Sequence, residues 1–382
     1  MNPAGHPALA RIRRDVQGLH AYAVQDSAGL VKLDAMENPH PLPPALQAEL
    51  GRRLGAVALH RYPGDRVADL RRALADYADL PAGWSLMLGN GSDELISLVT
   101  LACDVPAGET GDGRPPAVLA PEPGFVMYAF SAHLQGLRFV GVPLRPDDFG
   151  LDVDAMVDAI RRENPAIVYL AWPNNPTAGL WDDQAMGRVI AAVSEAVGIV
   201  VIDEAYQPFA GRSWIDTIRA QPQDHAHVLL LRTLSKFGLA GVRIGYMAGP
   251  AELIAEIDKL RPPYNVSTLN AECALFALEH AAVFDAQAAE VVAERTRLLA
   301  ALAAMPGVKA WPSDANMVLV RVASDSAGAA RVFGRVRESG VLVKNVSTMH
   351  ASLAGCLRLT VGTSDETARL LAALATSLPT TP

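Results

Sequence analysis

Along the chain, short apolar runs alternate with longer segments of helical periodicity. The runs cover residues 87–88, 117–120, 139–144, 166–171, 199–202 and 227–231. A run that is apolar at successive positions predicts a strand buried on both faces. Residues 67–77, 153–162 and 185–197 repeat apolar positions every three or four residues and predict helices. A further helix is expected to start at the turn Gly89-Asn-Gly-Ser-Asp-Glu94, where Ser92 and Asp93 suit an N-cap. Strand and helix alternate, so the pattern predicts an α/β fold with a mostly parallel sheet flanked by helices. On such sheets ligands bind at the carboxyl ends of strands.

The pattern changes at Arg261-Pro-Pro-Tyr-Asn265. Beyond it come a long helical region over 269–304 with a possible break, then strands expected at 317–322, 340–346 and 356–361. This predicts a large unit over 36–265 and a smaller α/β unit over 266–382. Residues 1–35 form an arm belonging with the smaller unit. The Gly/Pro-rich stretch 104–116 reads as a mobile surface loop without chemistry.

Composition narrows the function. The 382 residues are 50% apolar and 19% charged, which suits large buried cores. A net charge of −8 argues against nucleic acid as a partner, because phosphate backbones demand clustered Lys and Arg. A small anionic ligand needs only a few local donors and stays open. No run reaches the ~20 apolar residues of a membrane span, and no signal peptide is visible. The three cysteines, Cys103, Cys273 and Cys356, lack metal-ligand spacing and read as reduced thiols, which fits a cytoplasmic location. His225 and His227 have no third ligand nearby, so no metal site is expected.

The candidate chemistry falls at three successive strand ends. Trp172-Pro-Asn-Asn-Pro-Thr-Ala-Gly179 offers the amide of Asn175, and Asp203-Glu-Ala-Tyr206 offers a carboxylate and a phenol. Thr233-Leu-Ser-Lys236 offers an amine among hydroxyls, followed by Arg243. A lysine amine condenses with an aldehyde, hydroxyls and an arginine hold a phosphate, and a carboxylate keeps a pyridine nitrogen protonated. Pyridoxal 5′-phosphate carries all three partner groups. Gly91-Ser92-Asp93 adds a second phosphate-binding turn, since a helix N-terminus attracts anions. Phe125 can stack on a flat ring or serve packing. Asn38 can reach a ligand or form an Asx-turn, and Arg358 on a strand of the smaller unit can grip a substrate carboxylate.

With these residues in place, the chain resembles the fold-type I pyridoxal-phosphate aminotransferases, and among them the histidinol-phosphate aminotransferase family. The resemblance rests on Glu37-Asn-Pro-His-Pro41, Arg61-Tyr-Pro63, Gly91-Ser-Asp-Glu94, Pro123-Gly-Phe-Val-Met-Tyr128, Pro173-Asn-Asn-Pro-Thr177, Asp203-Glu-Ala-Tyr206, Arg232-Thr-Leu-Ser-Lys236, Pro262-Pro-Tyr-Asn-Val-Ser267, Pro312-Ser-Asp-Ala-Asn316 and Cys356-Leu-Arg-Leu-Thr-Val-Gly-Thr363. They occur in family order over nearly the whole chain. The resemblance implies a seven-stranded sheet in the large unit and a homodimer with shared active sites. It implies that Lys236 holds the cofactor covalently and shuttles a proton, and that Asp203 pairs with the pyridine nitrogen. Asn175 and Tyr206 would bind the ring oxygen, and Phe125 would stack on the ring. Gly91, Ser92, Asp93, Thr233, Ser235 and Arg243 would surround the cofactor phosphate, with Tyr62 reaching that of the neighbouring subunit. Arg358 would hold glutamate, 2-oxoglutarate or the substrate phosphate, and Asn38 and Tyr22 would line the substrate end.

Two positions depart from the family pattern. Trp172 stands where a serine is usual, with Ala178 inserted before Gly179. Lys344 stands where an arginine commonly helps grip a substrate phosphate, and lysine lacks the bidentate fork. The implied reaction interconverts L-histidinol phosphate plus 2-oxoglutarate and imidazole-acetol phosphate plus L-glutamate. Alternatives are an aromatic or broad-specificity aminotransferase and a pyridoxal-phosphate decarboxylase of a phosphorylated amino acid.

Overall fold

The computed structural model of the chain describes residues 6–19, 25–105 and 113–378. Strand β1 (Val31–Lys32) precedes the strands of the main sheet. These are β2 (Trp84–Gly89), β3 (Ala117–Glu122), β4 (Arg138–Pro143), β5 (Ile167–Ala171), β6 (Ile199–Asp203), β7 (Val228–Thr233) and β8 (Gly245–Pro250). They form one seven-stranded sheet in the order β2-β8-β7-β6-β5-β3-β4. β8 runs antiparallel to both its neighbours, and the other pairs among β3 to β7 are parallel. The apolar runs had marked six of these strands. β8 escaped because Gly245-Tyr-Met-Ala-Gly-Pro250 dilutes its apolar residues with glycine and proline.

Alternation along each strand feeds two cores. Leu229, Leu231, Val201 and Met247 face one layer with Leu95, Val99 and Tyr128. Leu230, Ile202, Val200 and Ala248 face the other with Ile190, Met156 and Ile218. Both layers exclude water, which is why the strands read as continuous apolar runs. The covering helices carry sequence-encoded starts. Asp152 caps Val153–Glu163 through the Ala155 N–H, and Asp182 caps Asp183–Glu195 through the N–H groups of Gln184 and Ala185.

The smaller sheet has the order β12-β13-β10-β9, built from β9 (Lys309–Ala310), β10 (Met317–Arg321), β12 (Lys344–Asn345) and β13 (Cys356–Thr360). The single strand expected over 340–346 is split. β11 (Val341–Leu342) pairs in parallel with β1, while β12 pairs with β13. Residues 31–32 are thereby fastened to β11, and Val31, Leu33 and Met36 share a core with Leu357, Leu359 and Leu374. The long helical region is indeed broken, into Thr268–Glu279 and Ala281–Ala303 at His280. No helix among the described residues is long and apolar enough to cross a membrane.

Candidate active site

Adjacent strands β5, β6 and β7 end side by side, and the loops that follow them wall a cavity of about 340 Å³. Asp203 lies on its floor. One carboxylate oxygen accepts a hydrogen bond from the Tyr128 hydroxyl at 2.7 Å, the other from the Ala205 N–H at 3.0 Å. Burial pushes this carboxyl up to about 6, against the lowering effect of those two donors, with like-charge repulsion from Asp93 and Glu204 adding to the rise. A buried carboxylate so placed favours a proton-bearing nitrogen facing it.

Lys236 stands at the opposite wall, on the helical turn Ser235–Leu239. Its amine donates to the Ala35 carbonyl at 2.9 Å and lies 5.8 Å from the centre of the Tyr206 ring. Burial, and then the positive charge of Arg358, push the ammonium down to about 8. About a tenth of the amine is therefore unprotonated at pH 7 and nucleophilic, far more than for an ordinary lysine.

The third wall is a cradle built on a side-chain-free turn at Gly91. Gly91 precedes helix Ser92–Ala102 with φ +79°, and that helix has no side-chain N-cap. The capping role expected of Ser92 and Asp93 is therefore not taken: both are already helical, and Gly91 makes the turn. A Cβ on Gly91 would sit 2.7 Å from an Arg243 guanidinium nitrogen, and one on Gly245 would sit 2.6 Å from the Gly91 backbone. Ser235 and Thr233 are linked through their hydroxyls at 3.0 Å, and the Arg243 guanidinium reaches the Ser235 hydroxyl at 3.5 Å. Arg243 also lies 4.0 Å from Asp93. Hydroxyls, a guanidinium and uncapped helix N–H groups so converge on one end of the cavity.

Asn175 and Arg358 meet at the cavity edge. Arg358 donates to the Asn175 side-chain oxygen at 2.7 Å and to the Asp34 carbonyl at 2.8 Å. With its oxygen taken by Arg358, the Asn175 amide offers its nitrogen as a donor. Lys344 is the ladder partner of Arg358 between β12 and β13, so the two side chains project from the same face of that sheet. Phe125 lines the cavity, edge-on to Tyr128 with ring centres 5.6 Å apart.

Two predicted residues fall elsewhere, and a third lies outside the described residues. Asn38 does not line the cavity, and its amide donates to Gln287 and the Phe237 carbonyl while its oxygen accepts from the His40 N–H. Ala35, Met36 and Glu37 occupy the wall instead. Tyr62 is 76% exposed and stacks on Tyr264 with ring centres 4.5 Å apart, away from this chain's own cavity. Tyr22 lies outside the described residues, as do 106–112 of the expected mobile loop.

Trp172, the first departure, is absorbed into the core. Its indole N–H donates to the Trp181 carbonyl at 3.0 Å, and Ala178 turns the loop with φ +67°. Sequence reasoning quoted Tyr128 without giving it a task. The signal was its spacing from Phe125, since residues three apart on a helix share a face.

The fold and this site define an aminotransferase. The family described as aminotransferase class I and II matches residues 28–374, and the chain belongs to it. Within that class it belongs to the histidinol-phosphate aminotransferase family. It is 65% identical to the histidinol-phosphate aminotransferase of Polaromonas naphthalenivorans (strain CJ2), over 96% of each chain. It is 63% identical to that of Paracidovorax citrulli (strain AAC00-1), over 97% of this chain and 98% of the relative. Among solved structures, the histidinol-phosphate aminotransferase from Sinorhizobium meliloti in complex with pyridoxal-5′-phosphate superposes with a TM-score of 0.82 at 25% identity, covering 97% of this chain and 98% of that one.

The donor set fits that cofactor. Lys236 offers an amine for an aldehyde, Asp203 a buried acceptor for a ring nitrogen, and Asn175 an amide donor. The cradle of Ser92, Thr233, Ser235 and Arg243 offers hydroxyls and a guanidinium to a phosphate, and the missing Cβ at Gly91 lets the Arg243 guanidinium lie against the turn.

Proposed function

We propose that the protein binds pyridoxal 5′-phosphate and interconverts L-histidinol phosphate plus 2-oxoglutarate and imidazole-acetol phosphate plus L-glutamate. The observation that carries this reading is the convergence of Lys236 and Asp203 on one cavity, with Arg358 bonded to Asn175 of its wall and Lys344 beside Arg358 on the neighbouring strand. The identity of 63% and more to relatives named for this activity supports the substrate.

Pyridoxal phosphate supplies an aldehyde for amine exchange and a ring that draws electrons from the substrate's α-carbon. The chain's own residues do the rest. Lys236 holds the aldehyde end and carries a proton at Nζ, which its depressed basicity allows near neutral pH. Asp203 holds the ring nitrogen, and the Tyr128 hydroxyl holds Asp203. Asn175 and Tyr206 orient the ring oxygen, and Phe125 covers the ring. Ser92, Asp93, Thr233, Ser235 and Arg243 surround the phosphate. Arg358, with its planar fork, takes a substrate carboxylate or phosphate, and Lys344 adds a point charge beside it. Tyr62, exposed on this chain, would reach the phosphate site of a second copy in a homodimer, and its exposure supports that reading. We assign Arg358, Lys344 and Glu37 to the substrate end, with Glu37 in place of Asn38 as the wall residue.

The test supplies purified holoenzyme and 2-oxoglutarate with L-histidinol phosphate or L-phenylalanine and follows glutamate formation. Turnover of histidinol phosphate at the lower concentration is the expected result. Fast turnover of phenylalanine without histidinol phosphate would overturn the substrate and leave the aminotransferase.

A further inference from the structure

Two motifs at the site each carry a second charged residue that the chemistry above leaves without a task. They are Glu204, beside Asp203, and Arg232, beside Thr233. Strand alternation turns them the other way. Asp203 and Thr233 face the cavity, while Glu204 and Arg232 enter the core on the opposite side of the sheet. There they meet with 1% and 6% of their surfaces exposed. The Arg232 Nε donates to one Glu204 oxygen at 3.0 Å, and a second guanidinium nitrogen forms an ion pair with the same oxygen at 2.9 Å. Glu204 also accepts from the Ser213 hydroxyl at 2.8 Å and the Trp214 N–H at 2.5 Å. Arg232 reaches the Ser213 hydroxyl at 2.6 Å and the hydroxyl of Tyr246, its ladder partner on β8, at 3.4 Å. The network ties the ends of β6, β7 and β8, which carry Asp203, Thr233 and Gly245.

A buried ion pair is an inefficient way to add stability, since desolvation offsets its attraction and apolar residues of like volume often do as well. Its position suggests another task. Glu204 is covalently next to Asp203 and already repels its charge; without Arg232 that repulsion would act uncompensated through the protein interior, where screening is weak.

We propose that Glu204 and Arg232 are positioning residues for the cofactor floor. Their pairing offsets part of the charge behind Asp203 and fixes the ends of three strands, so that Asp203 remains an acceptor at the right height. The inference rests on Asp203 being the partner of the cofactor's ring nitrogen. Other groups also face Asp203: Tyr128 from helix Val126–Leu134, Tyr169 from β5, Asp93 from helix Ser92–Ala102, and Tyr206 and Lys236 from the loops. None is altered in the variants below.

The test measures the dissociation constant of pyridoxal phosphate from the full chain as a function of pH, by visible absorbance. In E204Q the unpaired Arg232 charge favours ionised Asp203, and the acid-side inflection moves down. In R232Q the unpaired Glu204 charge opposes it, and the inflection moves up. Each displacement is on the order of one pH unit, and E204Q/R232Q returns the inflection to the wild-type position. A purely structural pair would weaken binding in both single variants without opposite displacements, and that result overturns the proposal. Should R232Q fail to fold, E204Q and the double variant decide. An inflection equally displaced in both would overturn the proposal, and one restored in the double variant supports it. A wild-type constant with no acid-side inflection would instead remove Asp203 from the ring nitrogen, which distinguishes failure of the reading from failure of the clamp.

Discussion

Tyr128→Phe removes one hydroxyl and little else. The ring keeps its stack on Tyr169, with centres 4.2 Å apart, and its edge contact with Phe125. What is lost is the 2.7 Å donor to Asp203. A hydrogen bond to a charged acceptor contributes about 1.5–3 kcal/mol. At about 1.4 kcal/mol per pH unit, the Asp203 carboxyl of the cofactor-free protein would rise about one to two pH units further. The sign follows from the direction of the shift. The folded carboxyl titrates near 6, above its unfolded value of 3.8, so the folded state binds more protons. Stability attributable to this group is thus full below pH 3.8 and declines as pH rises through 6. In Tyr128→Phe that decline continues to higher pH. Urea unfolding of the cofactor-free protein should show the variant weaker by about 1.5–3 kcal/mol at pH 8 and by under about 1 kcal/mol near pH 4. An equal loss at both pH values would refute the reasoning, because it would mean that Tyr128 contributes through packing and not through the ionised carboxylate.

Three further outcomes are expected. In the cofactor-free protein, acylation of Lys236 read by mass spectrometry should rise with pH around about 8 instead of the ordinary 10.5, since only the free amine reacts; a dependence centred on the ordinary value would remove the burial argument. Lys344→Ala should raise KM for histidinol phosphate about tenfold or more and spare glutamate, whose single carboxylate Arg358 holds alone; equal losses would take Lys344 out of the phosphate site. Leu230→Ala, at a fully buried position of β7, should lower unfolding free energy by about 2–5 kcal/mol in urea titration, and a loss under about 1 kcal/mol would contradict the packing described.

The sequence by itself determined the sheet-and-helix alternation, because burial on both faces forces strand segments 117–120, 167–171, 199–202 and 228–231 to be apolar, with polar residues only at the strand ends. It also placed Asn175, Asp203 and Lys236 at three strand ends, because the loop chemistry of Pro, Asn and Gly marks where strands stop. Tertiary structure alone decided the rest. Strand order put β5, β6 and β7 side by side, and no local pattern encodes which strands become neighbours. The pairing of β1 with β11 brought residues 35–37 over the cavity, across a sequence separation that periodicity cannot see. Asn38 is displaced from the wall by the same fastening, which turns its amide toward Gln287. Tyr128 and the Glu204–Arg232 pair stayed without a task in the sequence because their partners are distant in the chain and meet only across strands and helices. Contacts of that kind are set by which faces exclude water together, and only the folded chain brings those faces into register.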